Sequence, residues 1–496
     1  MTPNDALLIA LFLPIIGAFG IMLTGKHPNV RESLILVMAV ATFFFVLMVA
    51  RATAAGDLAD VTLFEVMPGL SISFKLEPLG AMFAVIASGL YIVNSLYSIG
   101  YMRGTNEKNQ TRFYVCFAIA ISAALGIAFA GNLLTFFTFY EILTLSTFPL
   151  VTHKGDAKAR AGGRVYLGIL MGTSIGLLLP AIIWTWVMTG TTDFVAGGIL
   201  GDAADFRSWV PVVLLGLYLY GIGKAALMPI HPWLPNAMVA PTPVSAFLHA
   251  VAVVKAGVFG VLKIAVYTFG IDTLRETNIS EIFMWIAAGS ILLASAIAMT
   301  QDNLKARLAY STVSQLSYVT LGAMIATNLG VMGGAMQIAA HALGKMTLFM
   351  CAGAIYVAHH KTLVSELRGL GRLMPFTFGA FFIGAMSIVG LPPMAGSWPK
   401  FFLMLGAVDA GQLAIIAVLI ISSLLNVVYL LSIPVKAFFG KPAGEAQPAP
   451  IGWKTLQEAP IFCLVPPLLT AAGTIILFFY SDPLFNFLLP LIGGAG

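Results

Sequence analysis

Apolar runs about as long as a bilayer is thick recur from one end of this 496-residue chain to the other. A helix that crosses the hydrocarbon core needs roughly 20 mostly apolar residues, and it must satisfy its own backbone polar groups because lipid offers no partners. Such runs cover residues 5–24, 33–50, 78–101, 113–130, 132–151, 165–189, 209–228, 242–269, 282–300, 308–326, 331–358, 374–408, 412–439 and 459–480. The expectation is an all-α integral membrane fold with 14 transmembrane helices. Composition agrees. The chain is 59% hydrophobic and 9% charged, whereas a soluble domain carries about 25% charged residues. The tightest boundary is Gly131-Asn132, where one turn must separate two spans. The first run has only Asp5 before it and no basic segment, so it reads as a retained span rather than a cleaved signal. Cys116, Cys351 and Cys463 are far apart in apolar runs and read as small core residues.

Charge orients the spans. With the N-terminus outside, 17 of the 26 basic residues fall in inside loops and only Arg51, Lys75, Arg207 and Arg275 fall outside. The basic excess is therefore a positive-inside signal rather than a nucleic-acid footprint. Of the acids, 13 lie outside, 7 inside and one in the membrane. Both termini are expected on the outer side of a bacterial-type inner membrane. The polar stretch 440–458 reads as a cytoplasmic linker, and 483–493 as a short apolar tail.

Six charged residues lie within the runs: Glu141, Lys224, Lys255, Lys263, Lys345 and Lys400. Each costs about 2.5–3.5 kcal/mol at membrane depth unless paired or hydrated. Glu141 is the one acid and the natural counter-ion. Lys224 is followed by Pro229, Pro232 and Pro235, which cannot continue a helix. The break frees backbone carbonyls that can help stabilise a cation. Lys255 sits near the middle of its run and His249 six residues earlier, so they meet one path only if the helix is distorted. Lys263, nearer the outer end, reads as a snorkelling lysine. His341 and Lys345 are four apart and share a helix face. A titratable imidazole beside an ammonium suits a proton relay.

Run 374–408 would measure roughly 52 Å as one helix and must break in Gly390-Leu-Pro-Pro393, just before Lys400. Two proline-broken spans with a lysine at each break are what repeat-built transporters show at their ion sites. The spacing divides the chain into three N-terminal helices (1–101), a five-helix unit (113–269), a second unit (282–439) and a C-terminal helix with a short tail (459–496). Five is odd, so the two repeats are inverted, each containing a broken helix.

The segments Pro241-Thr-Pro-Val-Ser-Ala-Phe-Leu-His-Ala250 before Lys255, His341-Ala-Leu-Gly-Lys345, and Gly390-Leu-Pro-Pro393 before Lys400 resemble the antiporter-like family. That family is shared by complex I and the Mrp-type multisubunit cation/proton antiporters, and the likeness covers nearly the whole chain. It implies a functional glutamate on the fifth span and lysines on the seventh, eighth and twelfth, matched here by Glu141, Lys224, Lys255 and Lys400. A lysine at the last position, and no long lateral helix, is the pattern of the subunit-D branch. The expected function is a proton-translocating subunit of a multisubunit Na⁺ (or other monovalent cation)/H⁺ antiporter, with other membrane subunits as partners and no enzymatic activity. Glu141 and Lys224 would form a switchable ion pair, and the proton would pass by His249 to Lys255, then by His341 and Lys345 to Lys400. No cofactor is implied. Na⁺ prefers oxygen ligands, and one membrane carboxylate is few, so its path would lie elsewhere in a complex. The alternatives are a proton-pumping subunit of a complex I-type dehydrogenase or membrane-bound hydrogenase, and an intramembrane enzyme. His359-His360, the nearest thing to a metal pair, has no third ligand in spacing.

Overall fold

The computed structural model describes residues 1–67, 69–201, 205–206, 208–441 and 456–493. Most of the 440–458 linker, together with Arg207 and Lys454, lies outside the described residues. Among the described residues, eleven helices are long and apolar enough to cross a membrane. Three of the expected runs differ. Run 209–228 is one helix only over Val210–Gly221. Run 308–326 lies within Leu304–Ile325, where serine, threonine and glutamine dilute the apolar character. Run 374–408 is two helices, Pro375–Val389 and Ser397–Asp409.

Local chemistry sets the ends. Between helices Gln110–Phe129 and Leu133–Val151, Ala130 leaves helical geometry. The Asn132 side chain then accepts from the Thr135 N–H at 2.8 Å, an N-cap worth about 1 kcal/mol. Asp156, Asn303 and Thr327 cap Ala157–Thr173, Leu304–Ile325 and Asn328–His359 in the same way.

The all-α expectation missed one element, an antiparallel hairpin of Asp60–Met67 with Leu70–Lys75. Ile72 and Phe74 are buried while Ser71 and Ser73 are not fully so, the period of two that a half-buried strand requires. Six residues are too few to span a bilayer, and the search for long apolar runs passes over them. The Asn132 amide donates to Ser71 O and Ser73 Oγ, both at 2.8 Å, and ties the hairpin to a helix start.

Burial sorts the helices into a centre and a periphery. The apolar stretch of Thr242–Phe269 is wholly buried and that of Asn328–His359 almost so, whereas Pro3–Leu23, Pro28–Ala54, Leu413–Phe439 and Ile461–Phe479 turn most of their residues outward. Helix Asn328–His359 packs on Leu304–Ile325, Ser397–Asp409, Pro375–Val389, Ile461–Phe479 and Thr242–Ala250. The two central helices carry His249, Lys255, His341 and Lys345.

Lys263 corrects a second expectation. It does not snorkel. Its side chain is 1% exposed and its Nζ lies 2.5 Å from Glu77 Oε1, donates to Ala130 O at 3.1 Å, and faces the rings of Phe194 and Tyr267 at 4.2 and 5.1 Å. Glu77 immediately precedes helix Pro78–Gly104 and is folded inward, so an interior partner replaces the headgroup region for this lysine.

Candidate functional site

Lys224 stands where its helix ends. Helix Val210–Gly221 gives way to a tight turn over Gly223–Ala225, closed by Ala226 at φ 54°. Trp233 Nε1 donates to Gly223 O at 2.9 Å and fixes the turn. The buried ammonium of Lys224 donates to Tyr140 O at 2.7 Å and Thr144 Oγ1 at 2.6 Å, and lies 3.0 Å from the centre of the Tyr140 ring. Its backbone N–H donates to the Tyr140 hydroxyl. The carbonyl that holds it belongs to helix Leu133–Val151, not to its own break. The expected ion pair with Glu141 is not made. Both Glu141 carboxylate oxygens are buried without a hydrogen-bond partner, because carbonyl, hydroxyl and ring already hold the ammonium.

Helix Thr242–Ala250 ends at Val251, and a new helix, Val253–Lys263, begins after Ala252. This is the distortion that His249 and Lys255 need in order to approach one path. His249 Nδ1 lies 3.1 Å from Thr312 Oγ1, its ring stacks on Phe349, and its Nε2 is buried and unpartnered. Lys255 Nζ lies 2.6 Å from His341 Nδ1, a contact across 86 positions of sequence. His341 Nε2 is likewise buried and unpartnered. One helical turn on, Lys345 Nζ donates to Ser311 Oγ at 2.7 Å and Leu308 O at 3.1 Å.

Gly257 explains how close Lys224 comes to the Lys255 helix. A Cβ there would meet Ala225 N and the Lys224 carbonyl carbon, each at 2.3 Å, so only glycine lets that turn rest on the helix. The second break is built differently. Lys400 Nζ donates to Ile388 O at 3.0 Å and Val389 O at 2.7 Å, the freed carbonyls at the end of helix Pro375–Val389. It also donates to Ser423 Oγ at 3.0 Å and sits above the Tyr318 ring. Gly390, at φ 89°, makes room; a Cβ there would meet Lys400 Cδ at 2.7 Å.

Sequence reasoning overlooked helix Leu304–Ile325. Its Thr312 touches His249, its Ser311 holds Lys345, and its Tyr318 faces Lys400. Between them Gln315 Oε1 accepts from Gln337 Nε2 at 2.8 Å, leaving Gln315 Nε2 and Gln337 Oε1 unpartnered. The signal was present as the polar density Ser311-Thr-Val-Ser-Gln-Leu-Ser-Tyr318 inside an apolar run. The structure thus brings Lys255 and His341 into contact and joins His249, Lys345 and Lys400 to one shared helix. It leaves Lys224 and Glu141 unpaired.

Residues 130–426 match the family described as NADH:quinone oxidoreductase/Mrp antiporter, transmembrane. Residues 68–114 match the one described as NADH-ubiquinone oxidoreductase (complex I), chain 5 N-terminus. NADH-quinone oxidoreductase subunit N of Desulforudis audaxviator is 31% identical over 430 residues, 84% of each chain. A subunit of the Na⁺/H⁺ antiporter of Alkalihalophilus pseudofirmus is 30% identical over 90% of this chain and 57% of its own length. The chain matches 50% of the NAD(P)H-quinone oxidoreductase chain 5 of a Picosynechococcus species. In fold it superposes on a chain of the Mrp complex from a Dietzia species with a TM-score of 0.87, at 21% identity, over 99% of this chain and 97% of that one.

Proposed function

This chain belongs to the NADH:quinone oxidoreductase/Mrp antiporter family of membrane proteins, and from that premise we propose that it is the proton-translocating subunit of a multisubunit monovalent-cation/proton antiporter. The observation that carries the proposal is the 2.6 Å contact of Lys255 Nζ with His341 Nδ1, which joins the two halves of the chain at the buried centre. An ammonium at Lys255 donates to Nδ1. If the proton crosses that contact while the Nε2 proton moves on, His341 returns to a neutral imidazole and Lys255 is left a neutral amine. Lys345, one turn away, repels a charge lodged on His341, so the proton leaves toward Lys400 by way of the hydroxyls and amides of helix Leu304–Ile325. On the other side, Lys224 alternates between Tyr140 O and the unpartnered Glu141 carboxylate, and His249 connects it to Lys255.

The finer architecture belongs to the same proposal. It comprises fourteen spans, the inverted five-helix repeats 113–269 and 282–439, a lysine at the broken helix of each, and both termini outside a bacterial-type inner membrane. Breaks near Lys224 and Lys400 at matching positions in the two units support it. Lysine at position 400 favours the subunit-D branch. Na⁺ is the exchanged cation suggested by the Na⁺/H⁺ antiporter relative.

The test is cation/proton exchange by the whole complex in vesicles. Glu141→Ala, Lys224→Ala and Lys255→Ala are each expected to abolish it, and wild-type turnover in all three would sink the reading. A redox-driven pump subunit is the second reading, favoured by the NADH-quinone oxidoreductase relative that matches over 84% of both lengths. Redox subunits purifying with the chain would decide for it.

A further inference from the structure

A cavity of about 600 Å³ opens on the surface between helices Pro28–Ala54, Pro78–Gly104, Asn328–His359, Ile461–Phe479 and the C-terminal helix Ser481–Leu488. Its wall is hydrocarbon apart from Arg51 and Thr470. Thr470 Oγ1 is already engaged, accepting from Thr347 Oγ1 at 2.7 Å and reaching the carbonyls of Pro466 and Pro467. Buried water needs two to four polar partners, so water does not fill this space. Arg51 stands at one end, four residues before its helix gives way at Ala55. It is exposed, with no hydrogen bond or ion pair among the described residues.

The depth of the cavity fits one leaflet. Along helix Pro78–Gly104 the wall runs from Ala81 to Val93, a rise of roughly 18 Å, against about 15 Å for half of a hydrocarbon core. Arg51 and Ala81 mark the interfacial end; Phe43, Val93 and Leu343 mark the end near the middle of the bilayer. The volume excludes a partner's transmembrane helix, since a cylinder about 10 Å across and of that length occupies roughly 1,400 Å³.

We propose that this groove is a binding site for an acidic phospholipid, whose acyl chain fills the apolar cleft and whose phosphate meets the Arg51 guanidinium. Arginine matches phosphate geometry with two parallel N–H donors, and here it waits at headgroup level. With the orientation proposed above, the lipid comes from the outer leaflet. The chain end of the lipid rests on Ala339 and Leu343, which lie on the opposite side of their helix from His341 and Lys345. The bound lipid therefore backs the helix that carries those residues.

The experiment reconstitutes the complete complex in vesicles doped with either phosphatidylglycerol or phosphatidylcholine bearing a photoactivatable acyl chain, and maps the labelled peptides. Label is expected on segments 43–54, 81–93 and 469–477. Phosphatidylglycerol should be preferred about tenfold, the scale of one charge-assisted contact. Arg51→Gln should erase that preference while the acyl label persists, and Ile86→Trp, which projects into the cleft, should reduce capture of both lipids severalfold. Label spread evenly over the lipid-facing surface, a partner subunit cross-linked to these segments, or an undiminished preference in Arg51→Gln would overturn the proposal. Arg51 is a surface residue, so its variant reports on binding even if Ile86→Trp fails to fold.

Discussion

Removing one member of the Glu77–Lys263 pair should cost far more than removing both. Breaking a buried pair leaves an uncompensated charge and typically costs about 3–5 kcal/mol, whereas replacing both members with apolar groups is often neutral. The geometry refines that range for each variant. Glu77→Gln strands an ammonium whose residue is 1% exposed, with only Ala130 O and the aromatic faces left to it. A loss of about 3–4 kcal/mol is expected. Lys263→Met strands a carboxylate on a side chain 13% exposed, at a helix start where it can turn toward water, so about 2–3 kcal/mol is expected. The double variant Glu77→Leu/Lys263→Met should lie within about 1 kcal/mol of wild type, giving a coupling energy of several kcal/mol. The assay is a double-mutant cycle on the purified protein in detergent, read by denaturant and thermal unfolding. Single-variant losses that simply add in the double, or a Glu77→Gln loss below about 1 kcal/mol, would refute the reasoning.

Three further outcomes are expected. His153, in the loop after helix Leu133–Val151, is pushed down to about 4 by burial, with the neighbouring Arg112 charge adding to the effect. The unfolded chain therefore binds more protons between about pH 6.5 and 4, and stability falls as pH drops through that window, by up to about 2 kcal/mol. Unfolding midpoints of wild type and His153→Leu measured across about pH 4–8 should lose that difference in slope. Gly257→Ala forces a methyl group into the backbone of the Lys224 turn. It should cost about 1–3 kcal/mol of stability and slow vesicle exchange roughly tenfold or more, because small misplacements of reacting groups are amplified. Lys255→Met, His341→Gln and their double variant should all slow exchange to the same extent, since the two side chains act through one contact. Multiplying effects in the double would separate them.

Lysines inside apolar runs are conspicuous, because nothing in the surrounding sequence can satisfy them, and so Lys224, Lys255, Lys345 and Lys400 stood out by their setting alone. Proline and glycine beside Lys224 and Lys400 located the helix ends, since both residues act locally. What partners each lysine was not legible. Lys255 meets His341 across 86 positions, and Lys263 meets Glu77 on a distant helix start. Periodicity says which face a residue occupies and nothing about which helix lies opposite. The Glu141–Lys224 pair was inferred from scarcity of acids, and the structure holds the ammonium with uncharged groups instead. The hairpin escaped because its strands are short and alternate in polarity. Helix Leu304–Ile325 escaped because hydroxyl and amide groups carry no formal charge, although their clustering in a span was visible.

Helix Leu304–Ile325 is a single rigid rod that bears on three widely spaced basic side chains at once. A slide or roll of that rod by an ångström would lengthen its hydroxyl contacts with His249 and Lys345 and move the Tyr318 ring beneath Lys400 in one motion. Stations along the membrane plane would thereby be set in step mechanically, without waiting for charge at one to be felt at the next. A motor protein pushing on either end of this rod would command the whole row.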